Sequence, residues 1–377
     1  MNALRKKIEQ EIRERGPIPF SRYMERCLYD PELGYYSRHA EQFGKAGDFY
    51  TSSDVHAVFG RLLARQFEEM WRVLGSPENI VVKEPGPGRG LFAQDVLDWS
   101  EKKFPEFFRA LRYILDERSP ALRQRIEDVL RRHVESGKAL LSSAAVSAPT
   151  IIFANEFFDA LPVDVLSSEG SLRINARDGK FVETWVKPSA EELEFLDRYS
   201  VHPEPGERVE VSLQSQASMH AAAVGLERGF MVVIDYGYTR EEQLGRHRGT
   251  VKAIRQHLVG DNPYEAPGEQ DITADVNFTA LAAAAEKAGM QTQKLITQSQ
   301  FLLGIGEANE FADAFEDCRL PQERAKVALQ LKHLVTPAGM GESFHVLMAS
   351  KGIEQQKVSN LAGLNFARRI SPRVLSS

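Results

Sequence analysis

Cysteine is nearly absent from this sequence of 377 residues, which contains Cys27 and Cys318 and no Cys-x-x-Cys pair. A disulfide framework and a thiolate zinc site are therefore excluded as the basis of the fold. No apolar run approaches the ~20 residues that a transmembrane helix needs, and residues 1–16 mix both signs of charge without an apolar core. We therefore expect a cytoplasmic protein with no membrane partner and no signal or transit peptide.

An excess of positive charge is also lacking, since 47 Lys and Arg residues against 53 Asp and Glu residues leave a net charge of −6. A protein without a basic surface is poorly suited to bind the phosphates of nucleic acid. Hydrophobic residues make up 42% of the chain, enough for one large core or for a core domain with a smaller cap. We expect no nucleic-acid partner, whereas a cationic substrate is compatible with the net charge.

Apolar, β-branched segments alternate with helical patterns along most of the chain. Predicted strands lie at 79–83, 112–117, 150–154, 230–234, 292–296 and 344–349. Predicted helices lie at 1–16, 20–28, 55–74, 91–103, 213–225, 278–288 and 323–334, and Ser119-Pro120 opens a further helix. Strands that alternate with helices indicate an α/β fold with a parallel sheet covered on both faces.

The segments between these elements are less regular. Residues 172–186 contain two strand-like runs around Asp178-Gly179, which predicts a hairpin. Residues 239–270 show little periodicity and predict a long loop, and loops of that length are usually functional or part of a cap. We expect the residues beyond Gly352 to form a mobile tail.

A glycine-rich loop follows the strand predicted at 79–83. Gly86, Gly88 and Gly90 lie between Glu84 at the strand end and a helix that begins at Leu91. Such glycines let a nucleoside cofactor approach the backbone, although a tight turn without a ligand is the alternative. The dinucleotide fingerprint requires glycine or alanine where Leu91 stands. With the acid at Glu84, this favours S-adenosylmethionine over a pyrophosphate cofactor, and a nicotinamide-dependent oxidoreductase is the competing class.

Glu117 ends the next predicted strand, where a carboxylate can accept hydrogen bonds from both hydroxyls of a ribose. Asp116 beside it is the competing ribose ligand, and an exposed carboxylate at a helix start is the alternative for Glu117. An acid at this position strengthens the prediction of a nucleoside cofactor at the glycine loop.

Several separated blocks, from about Gly16 to Lys351, resemble the MidA family of methyltransferases. The blocks are Tyr23-Met24, Asp30-Pro31, Gly34-Tyr35-Tyr36, Gly47-Asp48-Phe49-Tyr50-Thr51-Ser52, Glu84 to Gly90, Glu117 with Ser119-Pro120, Asn155 to Pro162, Asp235-Tyr236-Gly237, Pro267 to Thr273 and Gly339-Met340-Gly341. The resemblance implies a Rossmann-like seven-stranded methyltransferase sheet, with helical and hairpin insertions that form a smaller cap. It also implies S-adenosylmethionine as donor and, by analogy with the mitochondrial member, arginine of a partner protein as acceptor.

On this basis we divide the chain into three parts. Residues 1–75 form an N-terminal helical region that covers the cofactor site, residues 76–352 form the methyltransferase domain, and residues 353–377 form the tail. Insertions in the middle part are expected at about 165–215 and 239–277. A homodimer is compatible with this organisation, and no metal ion is expected because displacement at a sulfonium needs no metal activation.

Asn155, Glu156 and Asp159 follow a predicted parallel strand, at the edge where open α/β sheets bind ligands. A guanidinium is a poor nucleophile because its charge is delocalised, and nearby carboxylates can orient it and accept its proton. We expect Asn155 and Glu156 to line the methyl-transfer site, Asn155 also to contact the cofactor, and Asp159 to hold the acceptor. In the alternative, Asp159 caps a turn, and Phe157 and Phe158 belong to the core.

Two loops add further candidates. Gly47, Asp48 and Thr51 are expected to close over the methionine end of the cofactor, unless this segment is an ordered surface loop that caps the following helix. Glu269 and Asp271 are either acceptor contacts or solvated loop residues.

The chain departs from the family pattern at Pro85, Ser53-Asp54, Asp275 and Asn277. The family usually has an aliphatic residue, Pro-Glu, His and Asp, respectively, at these positions. Asp275 and Asn277 flank the expected acceptor pocket, so the class of acceptor stays open. A methyltransferase for a small molecule and an assembly factor without catalytic activity are the alternative functions.

Overall fold

The computed structural model describes residues 2–37, 57–142, 147–243, 248–255, 258–260 and 262–370. The helices are α1 (Ala3–Arg15), α2 (Phe20–Tyr29), α3 (Ala57–Val73), α4 (Leu91–Lys103), α5 (Pro105–Ala110), α6 (Pro120–Val129), α7 (Arg131–Glu135), α8 (Ala190–Tyr199), α9 (Leu213–Gly225), α10 (Arg240–Gln243), α11 (Phe278–Lys287), α12 (Gln298–Glu307), α13 (Ala312–Phe315), α14 (Pro321–Val335), α15 (Gln355–Ser359) and α16 (Ala362–Ile370). No helix in the described part of the chain has the length and apolar content needed to cross a bilayer.

The strands form a large central sheet and two smaller sheets. They are β1 (Ile18–Pro19), β2 (Ile80–Pro85), β3 (Leu111–Asp116), β4 (Ala139–Leu141), β5 (Thr150–Asn155), β6 (Asp164–Ser167), β7 (Gly170–Arg177), β8 (Lys180–Val186), β9 (Val209–Val211), β10 (Gly229–Tyr238), β11 (Lys252–Arg255), β12 (Leu258–Gly260), β13 (Asp271–Thr273), β14 (Val276–Asn277), β15 (Gln291–Thr292), β16 (Ile296–Thr297) and β17 (Phe344–Lys351).

The central sheet has the order β15-β17-β10-β5-β2-β3-β4. Strands β10, β5, β2, β3 and β4 run parallel, and β17 is antiparallel to β10. The predicted α/β fold is confirmed, but the central sheet is mixed rather than wholly parallel because of β17. Within the described residues the sheet has nine strands rather than seven, because β14 adds to β10 and the strand predicted at 292–296 is divided into β15 and β16, which both pair with β17.

Helices cover both faces of this sheet, which is why its parallel strands are apolar along their length. On one face, α3 and α4 bring aromatic rings onto β5. The ring centroids of Phe92 and Phe153 lie 4.5 Å apart, and those of Phe67 and Phe153 lie 5.5 Å apart. On the opposite face, α9 and α11 bury Met219 and Leu281 in a second cluster. Packing on both faces holds the strand ends in place.

A five-stranded sheet of β1, β7, β6, β9 and β8 forms the smaller cap. The predicted hairpin is present, and its two-residue turn places Asp178 and Gly179 at positive φ, as the twist of a hairpin requires. Helices α1 and α2 pack on this sheet, whereas α3 packs in the core of the central sheet. The three helices predicted within residues 1–75 therefore belong to two different cores.

The prediction of a long loop at 239–270 is wrong. It contains α10, β11 and β12, and β11 pairs with β12 and β13 in a three-stranded sheet. Elements of three or four residues are too short to show a periodic pattern, so their sequence resembles a loop.

The mobile tail predicted beyond Gly352 is also wrong for the part of it that is described. Val358 and Leu361 are fully buried, and the backbone N–H of Gly363 donates a hydrogen bond of 2.9 Å to Oε1 of Gln66 on α3. Helix α16 packs against α12, a helix that the sequence pattern does not predict. A Cβ at Gly304 of α12 would lie 2.4 Å from the carbonyl oxygen of Ala362. The glycine that weakens the helical pattern thus permits this close packing.

Candidate active site

The glycine loop joins β2 to α4. Gly86, Gly88 and Gly90 have φ angles of 63°, 54° and 77°, which residues with a Cβ adopt only at a cost. A Cβ at Gly86 would lie 2.9 Å from Cδ2 of Phe157, so the loop passes closely over this ring. A Cβ at Gly88 would meet no atom of the described residues within 4 Å. Among the described residues, the backbone at Gly88 is therefore uncovered on this side.

Glu84 lies at the base of the loop with 5% of its surface exposed. The hydroxyl of Tyr113 on β3 donates a hydrogen bond of 2.8 Å to its Oε2. Burial raises the pKa of Glu84 to about 8, and the hydrogen bond from Tyr113 offsets only part of this effect. The charge that the sequence suggests at this acid is therefore suppressed near neutral pH, and the protonated carboxyl can donate a hydrogen bond as well as accept one.

The two acids at the end of β3 have different partners. Oδ2 of Asp116 lies 3.3 Å from Nζ of Lys83, which ties Asp116 to the neighbouring strand β2. Oε1 of Glu117 accepts a hydrogen bond of 2.7 Å from the backbone N–H of Ser119, and burial raises the pKa of Glu117. As predicted, Ser119 caps α6. Glu117 is thus a half-buried carboxylate held by backbone amides, whereas Asp116 is neutralised by an ion pair.

A tight turn follows Asn155 at the end of β5. Glu156 has a φ of 48°, a left-handed conformation that costs a non-glycine residue about 1–3 kcal/mol. Its backbone N–H donates a hydrogen bond of 2.9 Å to the carbonyl oxygen of Ile234 on β10. The side-chain amide of Asn155 donates a hydrogen bond of 3.1 Å to Oε1 of Glu156. Oδ1 of Asn155 is buried and has no hydrogen-bond partner in the described part of the chain. Backbone strain and an unpaired acceptor at a strand end are typical of a ligand site.

Asp159 lies on the same turn with 6% of its surface exposed. The hydroxyl of Tyr236 on β10 donates a hydrogen bond of 2.5 Å to its Oδ2. Its Oδ1 is buried without a hydrogen-bond partner among the described residues. Burial raises the pKa of Asp159 to about 6, and the hydrogen bond from Tyr236 acts in the opposite direction. Phe158 belongs to the core, as the alternative predicts, whereas Phe157 is partly buried beside the glycine loop.

Asp235 on β10 is fully buried and faces the same turn. Its Oδ2 accepts hydrogen bonds from the backbone N–H groups of Phe158 at 3.0 Å and of Asp159 at 3.3 Å. Burial raises its pKa well above the ordinary value, and the charges of Asp159 and Glu156 add to this effect. The sequence connects Asp235 and Tyr236 with the site only through the family resemblance. Since β10 runs parallel to β5, the strand-end rule that selects Glu156 could have selected these two residues as well.

Glu156, Asp159, Asp235 and Asp271 form an acidic cluster. Two tyrosines of the N-terminal region lie against it. The hydroxyl of Tyr36 donates a hydrogen bond of 3.0 Å to Oδ1 of Asp271, and the hydroxyl of Tyr29 donates one of 2.9 Å to the carbonyl oxygen of Ala160. Asp271 is 2% exposed, so the alternative of a solvated side chain is wrong for this residue. Glu269 contacts the N-terminus instead, because its Oε1 accepts a hydrogen bond from the side-chain amide of Asn2, which caps α1.

The departures from the family pattern have different surroundings. Oδ1 of Asp275 lies 3.0 Å from Nζ of Lys252 on β11, and this ammonium lies 5.4 Å from the ring centroid of Tyr236. Asn277 instead caps α11, since its Oδ1 accepts a hydrogen bond from the backbone N–H of Ala280. The change at Asp275 thus lies beside the acidic cluster, whereas Asn277 stabilises a helix end.

The glycine loop and the acidic turn both lie within residues 62–296, which match a family model of an S-adenosyl-L-methionine-dependent methyltransferase. This match covers more than half of the chain. The chain belongs to this methyltransferase family. S-adenosylmethionine is therefore its cofactor, and the competing oxidoreductase class is set aside. The segment with Gly47, Asp48 and Thr51 lies outside the described residues, as do Ser53 and Asp54.

Curated relatives and solved structures agree with this family. The mitochondrial protein arginine methyltransferase NDUFAF7 homolog of Drosophila melanogaster is 30% identical over 390 residues, which cover 93% of this chain and 85% of the relative. The mitochondrial protein arginine methyltransferase NDUFAF7 of Homo sapiens is 25% identical, with 89% and 80% covered. A structure from Burkholderia thailandensis with bound S-adenosyl-homocysteine has a TM-score of 0.84 and 29% identity, and covers 96% of this chain and 94% of that chain.

Proposed function

We propose that this protein transfers a methyl group from S-adenosylmethionine to the guanidinium of an arginine in a partner protein. The observation that carries the proposal is the carboxylate of Asp159. It is buried at a strand end, and its Oδ1 has no hydrogen-bond partner among the described residues. Such an oxygen is suited to accept a hydrogen bond from a cationic N–H group. Two relatives named as protein arginine methyltransferases support arginine as that group.

The residues on the cofactor side fit S-adenosylmethionine. No described residue fills the space beside Gly88, which leaves room there for a ligand against the backbone. The half-buried Glu117 can accept hydrogen bonds from ribose hydroxyls, and the unpaired Oδ1 of Asn155 can accept one from the cofactor. We assign the cofactor site to Glu84, Gly86, Gly88, Gly90, Glu117 and Asn155. Gly47, Asp48 and Thr51, which lie outside the described residues, complete this assignment on the basis of the sequence.

When bound, S-adenosylmethionine supplies a methyl group that is activated by the positive charge on its sulfur. The residues of this chain act on the acceptor. A guanidinium presents five N–H donors in one plane, so Glu156 and Asp159 together can fix both its position and its orientation. One of these carboxylates would accept the proton that the nitrogen loses as the N–CH₃ bond forms and the S–CH₃ bond breaks, with S-adenosylhomocysteine as the leaving group. Positioning of this kind is worth roughly 7–11 kcal/mol of the barrier.

A small molecule is the second candidate acceptor. The observation that favours it is the ion pair of Lys252 and Asp275 beside Tyr236, where the family usually has a histidine. An ammonium at this place could bind an anionic group of a small acceptor. A cytoplasmic location, a homodimer and the lack of nucleic-acid binding remain predictions, and the curated relatives above are named as mitochondrial.

The first test is calorimetric titration of the protein with S-adenosylmethionine, S-adenosylhomocysteine and reduced nicotinamide cofactor, where only the first two should bind. The protein is then incubated with tritium-labelled methyl donor and lysate protein from cells that lack the gene. Labelled methylarginine after acid hydrolysis supports the proposal. Label only in small molecules would favour the second candidate. Binding without any transfer would favour an assembly factor without catalytic activity.

A further inference from the structure

Asp235 and Tyr236 are consecutive residues of β10, and both contact the turn that carries Glu156 and Asp159. They do so in different ways. The carboxylate of Asp235 accepts the backbone N–H groups of Phe158 and Asp159 through Oδ2, and the N–H of Tyr236 through Oδ1. The hydroxyl of Tyr236 instead donates a hydrogen bond to the side chain of Asp159. One residue therefore fixes the backbone of the turn, and the other fixes a carboxylate on it.

The burial of Asp235 shows that this contact is costly to maintain. A carboxyl with 0% exposure loses its hydration, and only hydrogen bonds can offset this loss. Three backbone amides provide them, and two of these amides belong to the turn. An apolar residue would fill the same place in a core without this cost. The acid is therefore explained by the turn that it holds rather than by the packing of β10.

The turn needs such a constraint because Glu156 is in a left-handed conformation. A non-glycine residue stays in this conformation only when its surroundings enforce it. The N–H of Glu156 is bound to the carbonyl oxygen of Ile234, the residue before Asp235. Residues 234–236 thus hold the turn at its first amide, at its third and fourth amides, and at the side chain of Asp159.

We propose that Asp235 and Tyr236 are positioning residues of the methyl-transfer site, which hold the carboxylates of Glu156 and Asp159 in the orientation that the acceptor requires. This inference rests on the proposed function. Neither residue needs to contact the acceptor or the cofactor, because both act through the turn. Their loss should therefore reduce kcat and leave the KM for S-adenosylmethionine nearly unchanged.

The experiment compares D235N, Y236F and E69Q with the wild-type protein. Asn replaces one acceptor oxygen of Asp235 by an N–H donor, which then faces either the amides of the turn or the N–H of Tyr236. Phe removes only the hydroxyl of Tyr236 and retains its ring contact with Phe344, so Y236F tests the proposal even if D235N fails to fold. Glu69 is the matched control, because its carboxylate also accepts a backbone N–H, that of Ala362, but at the contact between α3 and α16.

Two quantities are measured on the full chain. Turnover is followed as S-adenosylhomocysteine formation with lysate protein as acceptor, and amide exchange of the turn is followed by mass spectrometry. We expect kcat to fall about 100-fold in D235N and about tenfold in Y236F, with the KM for S-adenosylmethionine within about threefold of wild type. The amides of Phe158 and Asp159 should exchange faster in D235N only. E69Q should keep the wild-type kcat.

An unchanged kcat in D235N or Y236F would overturn the role of that residue. Slow turnover in D235N with normal exchange of the two amides would also overturn it, as would an equal loss in E69Q. Formation of S-adenosylhomocysteine counts every methyl transfer, whatever the acceptor. If the wild-type protein methylates something other than arginine, the proposed acceptor fails while the comparison of variants still decides the positioning role.

Discussion

The hydroxyl of Tyr236 donates a hydrogen bond of 2.5 Å to Oδ2 of Asp159, which lies 77 residues earlier in the chain. The two residues meet because β10 and β5 are parallel neighbours, so the turn after β5 lies beside the end of β10. The site is thus built on two strands of the central sheet rather than on one flexible segment. Such support is what precise orientation of a weak nucleophile requires.

Replacing Glu156 with glutamine should lower turnover by about 10²–10⁴-fold, the range expected when a residue that orients the acceptor or removes its proton is lost. The affinity for S-adenosylhomocysteine, measured by calorimetry, should stay within about threefold of wild type, because the change removes a charge but little volume. Turnover equal to that of the wild-type protein would remove Glu156 from the site.

The pKa of Asp159 predicts an acid limit for turnover. Burial raises this pKa to about 6, so the carboxylate is ionised above that pH and protonated below it. If ionised Asp159 binds the acceptor, kcat should be flat above about pH 7 and fall about tenfold per unit below pH 6. The hydrogen bond from Tyr236 lowers the pKa of Asp159, so its loss in Y236F should raise this pKa and move the acid limit of kcat to higher pH. A limit in Y236F at lower pH than in wild type would contradict this account.

Gly88 and Gly137 offer a matched pair of substitutions. Both have positive φ, of 54° and 69°, and a Cβ at either position would meet no atom of the described residues within 4 Å. Replacement with alanine should therefore cost each a similar ~1–2 kcal/mol of stability, measured by urea unfolding. Only G88A should weaken S-adenosylhomocysteine binding, by about tenfold or more, because its methyl group enters the cofactor space. Equal affinities in the two variants would show that the cofactor lies elsewhere.

Glu117 and Asp116 can be distinguished by charge-neutral substitutions. We expect E117Q to weaken S-adenosylhomocysteine binding by about tenfold, since hydrogen bonds to a charged group contribute about 1.5–3 kcal/mol. D116N should have little effect on binding, because Asp116 is paired with Lys83. Calorimetry checks both variants, and the reverse order of effects would assign the ribose to Asp116.

The C-terminal helices should contribute to global stability. Leu361 is fully buried, and L361A should reduce the free energy of unfolding by about 2–5 kcal/mol. Leu329 is 68% exposed, and L329A should change it by less than about 0.5 kcal/mol. Denaturant unfolding of both variants checks this, and a negligible effect of L361A would restore the interpretation of this segment as a tail.

Much of the fold follows from local patterns. The helix at 91–103, the helix at 213–225 and the hairpin at 172–186 have periodic or turn signals within a few residues, and the structure confirms them. Helix α12 is missed because its glycines lower helix propensity. Gly304 permits close packing on Ala362, far along the chain, and Gly306 permits it on the nearby ring of Phe311. Strands β11 and β12 are missed because they are too short to show a period, and it is their pairing with each other and with β13 that makes them strands.

The amino-acid sequence alone determined most of the strands of the central sheet and the long helices beside them, the glycine loop, and the acids at the strand ends, because each depends on neighbours within one turn or one strand. Only the tertiary structure decided which of these acids are charged and what they contact. Burial suppresses the charge of Glu84, Asp116 pairs with Lys83, and Asp235 and Tyr236 hold the turn of Asp159. Desolvation and hydrogen bonding depend on residues that are distant along the chain, so no local pattern encodes them.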